Sequence, residues 1–375
     1  MRIAILSPMI SPLAQPHAGG TEVITARLAG GLAARGHQVT LLATEGSDDI
    51  PGVDLVSLGV KAREIAWPAA PRDLDGQIFR GLLVREQEIF HHILLHLRGQ
   101  HGQFDLLHNN SFSGWPIALA DMLPFPMLTT LHCPPILLEQ NAALRARAAA
   151  SLPNLTIAVS HGLAREFAHI VPITAVVHNG VEVPSTPEQT PQRYLLFVGR
   201  IAPEKGADLA IAAARAAGVP LLLAGRIEDQ AYYEREVAPH LDGTPGYPRT
   251  DVGYPVRYLG HLDQEALWDV MGRARALLFT PRWPEPCSLA VLEGLARGVP
   301  AIAFALGGLP EQIVDGRTGF LVPPGDVDAV ADAIRRLNTI SSAACRTHAS
   351  RHFSVAAMIS AYEVQYAAAI ASRRW

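Results

Sequence analysis

Cysteine is scarce in this chain of 375 residues: there are three, Cys133, Cys287 and Cys345, far apart in sequence. They form neither an even disulfide set nor a cluster with metal-ligand spacing, which is the usage expected in a reducing compartment. Long apolar runs are missing as well, and none approaches the roughly 18 residues that a membrane-spanning helix needs. The opening residues Met1–Ser7 turn polar too soon for a secretory signal and read instead as a strand. Both absences point to the cytoplasm. Nor is there an excess of positive charge: the net value is −4, which gives no global attraction for nucleic acid. The glycines do not fall into the three-glycine fingerprint of dinucleotide-binding turns, so a nicotinamide or flavin cofactor is not supported.

What the chain does have is alternation. Hydrophobic residues make up 49% and charged residues 18%, an ordinary balance for an α/β enzyme, and the length suffices for two domains with separate cores. In the first half, strands are predicted at Arg2–Pro8, Gln38–Ala43, Asp54–Leu58, Asp105–His108, Pro126–His132, Leu155–Ser160 and Ile173–His178. Helices are predicted between them at Thr21–Arg35, Gln77–Leu97, Ile117–Met122, Leu137–Ala150 and Gly162–His169. The segment Glu182–Pro191 holds three prolines among polar residues and reads as a linker. The alternation then restarts, with strands at Tyr194–Gly199, Pro220–Gly225, Val256–Leu259, Ala276–Thr280, Pro300–Phe304 and Gly319–Val322. Helices follow at Ala207–Ala217, Gln230–His240, Gln264–Arg273, Leu289–Ala296 and Asp328–Leu337, and apolar residues recur at helical spacing over Ser354–Arg373. This is the pattern of two Rossmann-like, doubly wound α/β domains. The expected division is residues 1–183, a linker over 184–192, residues 193–353, and a C-terminal helix over 354–375.

Open parallel sheets bind ligands beyond the carboxyl ends of their strands. Polar and glycine residues gather there: Gly19-Gly20, His108 to Asn110, His132-Cys133, Ser160-His161 and His178 to Gly180 in the first half, then Gly199-Arg200, Gly225-Arg226, Gly260-His261, Pro281 to Glu285 and Gly307-Gly308. The most informative stretch is Glu285-Pro-Cys-Ser-Leu-Ala-Val-Leu-Glu293, between a strand and a helix. Ser288 is placed to cap that helix, whose first amide groups favour phosphate. Glu285 falls in the loop and Glu293 on the second helical turn, where a carboxylate can accept both hydroxyls of a ribose. Gly199-Arg200-Ile-Ala-Pro-Glu-Lys205-Gly206 also lies between a strand and a helix, and Arg200 and Lys205 can neutralise a diphosphate. Taken alone, that segment also fits a solvated loop with two surface cations, Gly19-Gly20-Thr21-Glu22 also fits a plain turn, and His132 also fits a structural hydrogen bonder at a strand end.

The two segments Tyr194–Lys205 and Ala276–Val322 resemble the donor site of retaining nucleotide-sugar glycosyltransferases of family four, and the resemblance extends over nearly the whole chain. It implies two facing Rossmann-like domains of the GT-B type, a cleft between them, and a C-terminal helix that crosses back to the first. It implies that Arg200 and Lys205 hold the donor diphosphate as it leaves, and that Glu285 binds the donor sugar without attacking it. By the same resemblance, Gly19, Gly20, Gly199, His261, Cys287, Ser288, Leu289 and Glu293 contact the donor, and His132 lies beside the transferred sugar. The small-molecule donor is a UDP-, GDP- or ADP-sugar, with UDP first. The acceptor is open among saccharides, lipid-linked glycans and small molecules. Many members carry Phe-Gly where this chain has Cys287-Ser288, a change expected to leave the phosphate-binding amides intact while reshaping the sugar pocket.

No cofactor is expected to be tightly bound, and no metal. Asp73-Leu-Asp75 and Asp326-Val-Asp328 match the Asp-x-Asp pattern of metal-dependent glycosyltransferases, but neither ends a strand, and Asp326 reads as a helix cap. The basic residues Arg80, Arg85 and Arg98 on the segment Gln77–Arg98 allow a peripheral membrane contact, although its apolar stripe fits core packing. Two other functions fit the same fold: a nucleotide-sugar epimerase or hydrolase, and a non-catalytic nucleotide-sugar sensor. Release of free UDP without acceptor separates the first from a transferase. The second predicts missing donor-site residues, yet Arg200, Lys205, Glu285 and Glu293 are all present.

Overall fold

A computed structural model describes residues 1–62, 64, 76–100, 102–185, 193–241 and 256–372. Most of the expected linker, and both Asp73 and Asp75, lie outside the described residues. The chain divides into two compact units, Met1–Gly180 with Val355–Trp375, and Val181–Ser354. Val181 groups with the second unit, where its N–H donates to Phe353 O over 2.8 Å.

The first unit is built on seven parallel strands: β1 (Arg2–Leu6), β2 (Gln38–Leu42), β3 (Val53–Val56), β4 (Leu106–Asn109), β5 (Met127–Leu131), β6 (Leu155–Ala158) and β7 (Ala175–Val176). Their order is β3-β2-β1-β4-β5-β6-β7. Strands such as Ile3–Leu6 and Leu106–Asn109 are buried along their whole length, as expected where helices cover both faces of a sheet. The connecting helices are α1 (Gly20–Ala34), α2 (Gly76–Gly99), α3 (Trp115–Ala118), α4 (Leu138–Ala149) and α5 (His161–Phe167). Ile24, Leu28 and Leu32 form the buried stripe of α1. Buried Ile89, Phe90, Ile93, Leu94 and Leu97 do the same for α2, which accounts for its amphipathic pattern by packing.

The second unit has six parallel strands: β8 (Leu195–Val198), β9 (Leu221–Ala224), β10 (Val256–Tyr258), β11 (Ala276–Phe279), β12 (Ala301–Phe304) and β13 (Gly319–Val322). Their order is β10-β9-β8-β11-β12-β13. The helices are α6 (Ala207–Ala217), α7 (Gln230–Tyr232), α8 (Gln264–Gly272), α9 (Leu289–Ala296), α10 (Leu309–Gln312), α11 (Val327–Arg335) and α12 (Ser342–His352). Leu195, Phe197, Leu221, Leu223, Ile302 and Phe304 pack against Ala210, Ile211, Ala214, Val330 and Ile334 to form its core. The expected helix Gln230–His240 is instead α7, a π-turn over Tyr233–Val237 and a 3-10 turn over Ala238–His240. Pro239 cannot donate to a continuing helix, so the regular ladder stops before it.

The last helix, α13 (Val355–Ala371), belongs to the first unit and packs on α1, β4 and β5. The small side of α1 makes room for it: a Cβ on Gly31 would lie 2.1 Å from Ile359 Cδ1. Arg35 and His37 both bond to Glu363, at 2.6 and 2.9 Å.

Candidate active site

In the second unit the strand order reverses between β8 and β11, the position where such sheets leave a crevice at their carboxyl ends. Two loops meet there, Gly199–Gly206 after β8 and Thr280–Ser288 after β11. Thr280 Oγ1 donates to Gly206 O over 2.8 Å, and the Arg282 backbone N–H donates to Glu204 O over 2.8 Å. Arg282 also forks onto both oxygens of Asp208, at 2.8 and 2.5 Å. Burial works against the Asp208 charge, but bonds from Arg282 and Tyr232 outweigh it and hold the carboxyl below its usual range. Gly206 sits at φ +70°, and a Cβ there would lie 2.0 Å from Thr280 O. Only glycine lets the two loops come this close.

Between the stitched loops, Lys205 Nζ donates to Glu285 Oε2 over 2.8 Å, and Trp283 Nε1 donates to the same oxygen over 2.8 Å. Glu285 Oε1 is left without a partner among the described residues. The ammonium also stands over the Trp283 ring, 4.9 Å from its centroid. Side-chain exposures of 13% for Lys205 and 11% for Glu285 mean that water screens this pair only weakly.

Helix α9 starts beside this pair. Ser288 caps it, its hydroxyl accepting from Val291 N over 3.3 Å. The amides expected to face a phosphate are not all available, however. The Ser288 N–H donates to Gln312 Oε1 over 2.9 Å, which leaves the N–H groups of Leu289 and Ala290 without partners among the described residues. Cys287 is buried against the same glutamine, and Glu293 is buried on the second turn of α9. Gly307, at φ +59°, comes so near that its Cβ would lie 2.4 Å from Glu285 O, and the Gly308 N–H donates to that oxygen over 2.7 Å.

Gly199 and Arg200 lie at the mouth of the β8 loop. The Arg200 guanidinium pairs with Glu204 at 2.9 Å and with Glu228 at 3.6 Å, so it stands at a partly exposed edge held by two carboxylates. His261 follows β10 and is exposed, while the carbonyl of Gly260 accepts from Gly225 N over 2.9 Å. The structure thus brings Lys205, Glu285, Ser288 and Leu289 together where the strand order reverses, sets Glu293 on the buried second turn of α9, and leaves the His261 side chain in solvent.

In the first unit the order reverses between β1 and β4. Gly19 precedes α1 with extended backbone and Gly20 opens the helix. A Cβ on Gly19 would touch Glu22 Oε2 at 3.0 Å, and Glu22 Oε1 accepts from Ser11 Oγ over 2.7 Å. After β5, His132 Nε2 donates to Asn110 Oδ1 over 2.7 Å, and the Asn110 Nδ2 group is buried with no partner among the described residues. His132 is half-buried as a residue, and burial of its ring pushes the pKa down to about 3, so it is neutral near pH 7. His108 is a structural residue. Its nitrogens bond to Tyr366 Oη at 2.7 Å and Thr130 Oγ1 at 2.8 Å, tying α13 to β4 and β5. Burial, with His132 nearby, lowers its pKa to about 3 as well.

Among the described residues, no group of three or more His, Cys, Asp or Glu side chains could hold a metal ion. Asp326 caps α11, accepting from Ala329 N over 2.9 Å. Among the described residues no helix is long and apolar enough to cross a membrane. Asn110 and Trp283 fall in strand-end stretches that the sequence marks, but with no role attached to either residue. Gln312 is the residue of these crevices that the sequence does not single out, since it acts through folding contacts with no local pattern.

Comparison with known proteins converges on one family. The family model described as "Glycosyltransferase Family 4" matches residues 18–183, and the one described as "Glycosyl transferases group 1" matches residues 181–347. The chain is 28% identical to a D-inositol 3-phosphate glycosyltransferase of Mycolicibacterium smegmatis, over all of this chain and 92% of that protein. Sucrose-phosphate synthase from Thermosynechococcus elongatus shares the fold with a TM-score of 0.74 at 22% identity, covering 99% of both chains. Anabaena HepE, in complex with UDP and glucose, has a TM-score of 0.69 at 18% identity, covering 98% of this chain and 100% of the other.

Proposed function

Since this chain belongs to family four of the glycosyltransferases, with two Rossmann-like domains of the GT-B type, we propose that it is a retaining enzyme using a nucleoside-diphosphate sugar. It passes the sugar to an acceptor hydroxyl without a tightly held metal, in the cytoplasm. The observation that carries this reading is the meeting of Lys205, Glu285 and the start of α9 at the point where the strand order reverses. Lys205 spends one N–H on Glu285 and has two more for the donor diphosphate. The Leu289 and Ala290 amides supply neutral donors, and Arg200 adds charge at the rim. As the bond from the anomeric carbon to the phosphate oxygen breaks, these groups stabilise the charge gathering on the diphosphate. Glu285 Oε1 accepts from a hydroxyl of the donor sugar, and Glu293 receives the ribose hydroxyls. The acceptor oxygen bonds to the anomeric carbon on the face the diphosphate leaves, and its proton passes to the departing phosphate. His132, neutral and oriented by Asn110, is offered as a hydrogen-bonding group for the transferred sugar.

UDP-sugars are the first donors to test, ahead of GDP- and ADP-sugars, because HepE is in complex with UDP and glucose. The named activity of the Mycolicibacterium relative adds phosphorylated polyols to the acceptors worth screening. The decisive experiment is proton NMR of the purified product formed in EDTA. An α anomer made at the uninhibited rate supports the reading. A β product, or activity lost in EDTA and restored by magnesium or manganese, overturns it.

A further inference from the structure

We infer that Gln312 is a positioning residue that fixes which backbone amides the Glu285–Ser288 loop offers to a donor. It rests on the reading of that loop as the donor site. Gln312 closes α10 and is 0% exposed, although a glutamine is among the residues seldom buried without bonds. Its side-chain amide engages both backbone polar groups of one residue. Oε1 accepts the Ser288 N–H over 2.9 Å, and Nε2 donates to Ser288 O over 3.0 Å and meets Cys287 Sγ at 3.5 Å. The amide therefore pairs with Ser288 as a neighbouring strand would. The other end of the loop is gripped by the same short segment, through the Gly308 N–H on Glu285 O at 2.7 Å. From behind, His348 Nε2 of α12 bonds to the Gln312 carbonyl at 3.0 Å.

The consequence is directional. The Ser288 N–H points into the protein at Gln312, so the free donors at the start of α9 begin with Leu289 and Ala290. The same bonds set the path of the chain from Glu285 to the helix. Without the amide the Ser288 N–H loses its partner, and Ser288 O keeps only the bond from Leu292 N at 3.2 Å. The carboxylate and the helix start would then no longer hold one fixed geometry for the diphosphate.

Calorimetric titration with UDP, GDP and ADP, well below each protein's unfolding temperature, separates positioning from mere core filling. Gln312→Met keeps the length and loses every bond to Ser288. It is expected to weaken the best-bound nucleotide by about tenfold or more and to raise donor KM with acceptor KM unchanged. Hydrogen exchange should show protection lost at Ser288 first. If Gln312→Met does not fold, Gln312→Glu takes its place, keeping an acceptor for the Ser288 N–H while losing the donor to Ser288 O, and the same criterion applies. A folded variant that binds the nucleotide within about twofold of wild type, even with a lower Tm, overturns the inference alone. A wild-type protein that binds none of the three overturns the donor-site reading and this inference with it.

Discussion

The two units share one architecture and differ in what stands at the ends of their strands. Both are parallel sheets whose order reverses once, between β1 and β4 in the first and between β8 and β11 in the second. At the reversal in the second unit stand Lys205, Arg200 and Glu285, charged groups paired through hydrogen bonds of 2.8 to 2.9 Å. At the ends of β4 and β5 in the first stand Asn110 and the histidines His108 and His132, which burial keeps neutral, while Glu22 on α1 is bonded to Ser11. The same fold thus presents cations paired with carboxylates at the strand ends of one unit and, at the ends of β4 and β5, uncharged hydrogen-bonding groups in the other. Charge suits an anion such as a diphosphate, and neutral donors and acceptors suit hydroxyls.

The largest expected effects come from erasing the charge. Lys205→Ala and Arg200→Ala each remove a charge-assisted contact worth about 1.5–3 kcal/mol, so turnover should fall by about tenfold or more. Steady-state kinetics with the best donor checks this, and near-wild-type values for both would end the assignment of charge to the second unit. In the first unit the corresponding change should be structural. His108→Leu strands the buried Tyr366 hydroxyl, leaves Thr130 Oγ1 with Tyr362 Oη alone, and should cost about 1–3 kcal/mol of stability in denaturant unfolding, with nucleotide affinity of the folded protein kept.

The least direct effect is a pH dependence. Burial holds His108 and His132 near a pKa of about 3, whereas an unfolded histidine titrates near 6.5. Between those values the unfolded chain binds protons that the fold refuses. The stability these neutral imidazoles confer is complete above about pH 6.5 and declines as pH falls toward 3. Unfolding curves at pH 7 and 5 should show that loss, and His132→Gln should lessen the slope. His132 should also leave no ionisation in the profile of kcat/KM between pH 5 and 8. A titration near pH 6.5 that His132→Gln removes would mean the first unit carries charge after all.

Much of this contrast is readable in the chain. The apolar runs around Ile3, Leu107, Phe197 and Leu278 specify strands because both faces of a parallel strand are buried, and Ser288 marks the start of α9 by its capping chemistry. Helix α12 escapes because its polar sequence buries little beyond Cys345 and Ala349, which leaves no apolar stripe to see. The Gln312 clamp escapes for another reason. It joins residues 24 apart whose meeting depends on how α10 packs against the loop, and no local spacing encodes that. His108 and His132 look alike in sequence, since each stands at a strand's carboxyl end. Only α13, arriving from more than 250 positions away to place Tyr366 on His108, separates the structural histidine from the one that retains accessible surface.

Calorimetric titration of UDP into the wild-type protein, Lys205→Ala and His132→Ala tests the division between the units directly. Nucleotide affinity should drop by about tenfold or more in Lys205→Ala and stay within about twofold of wild type in His132→Ala. Affinity lost in His132→Ala and kept in Lys205→Ala would contradict it.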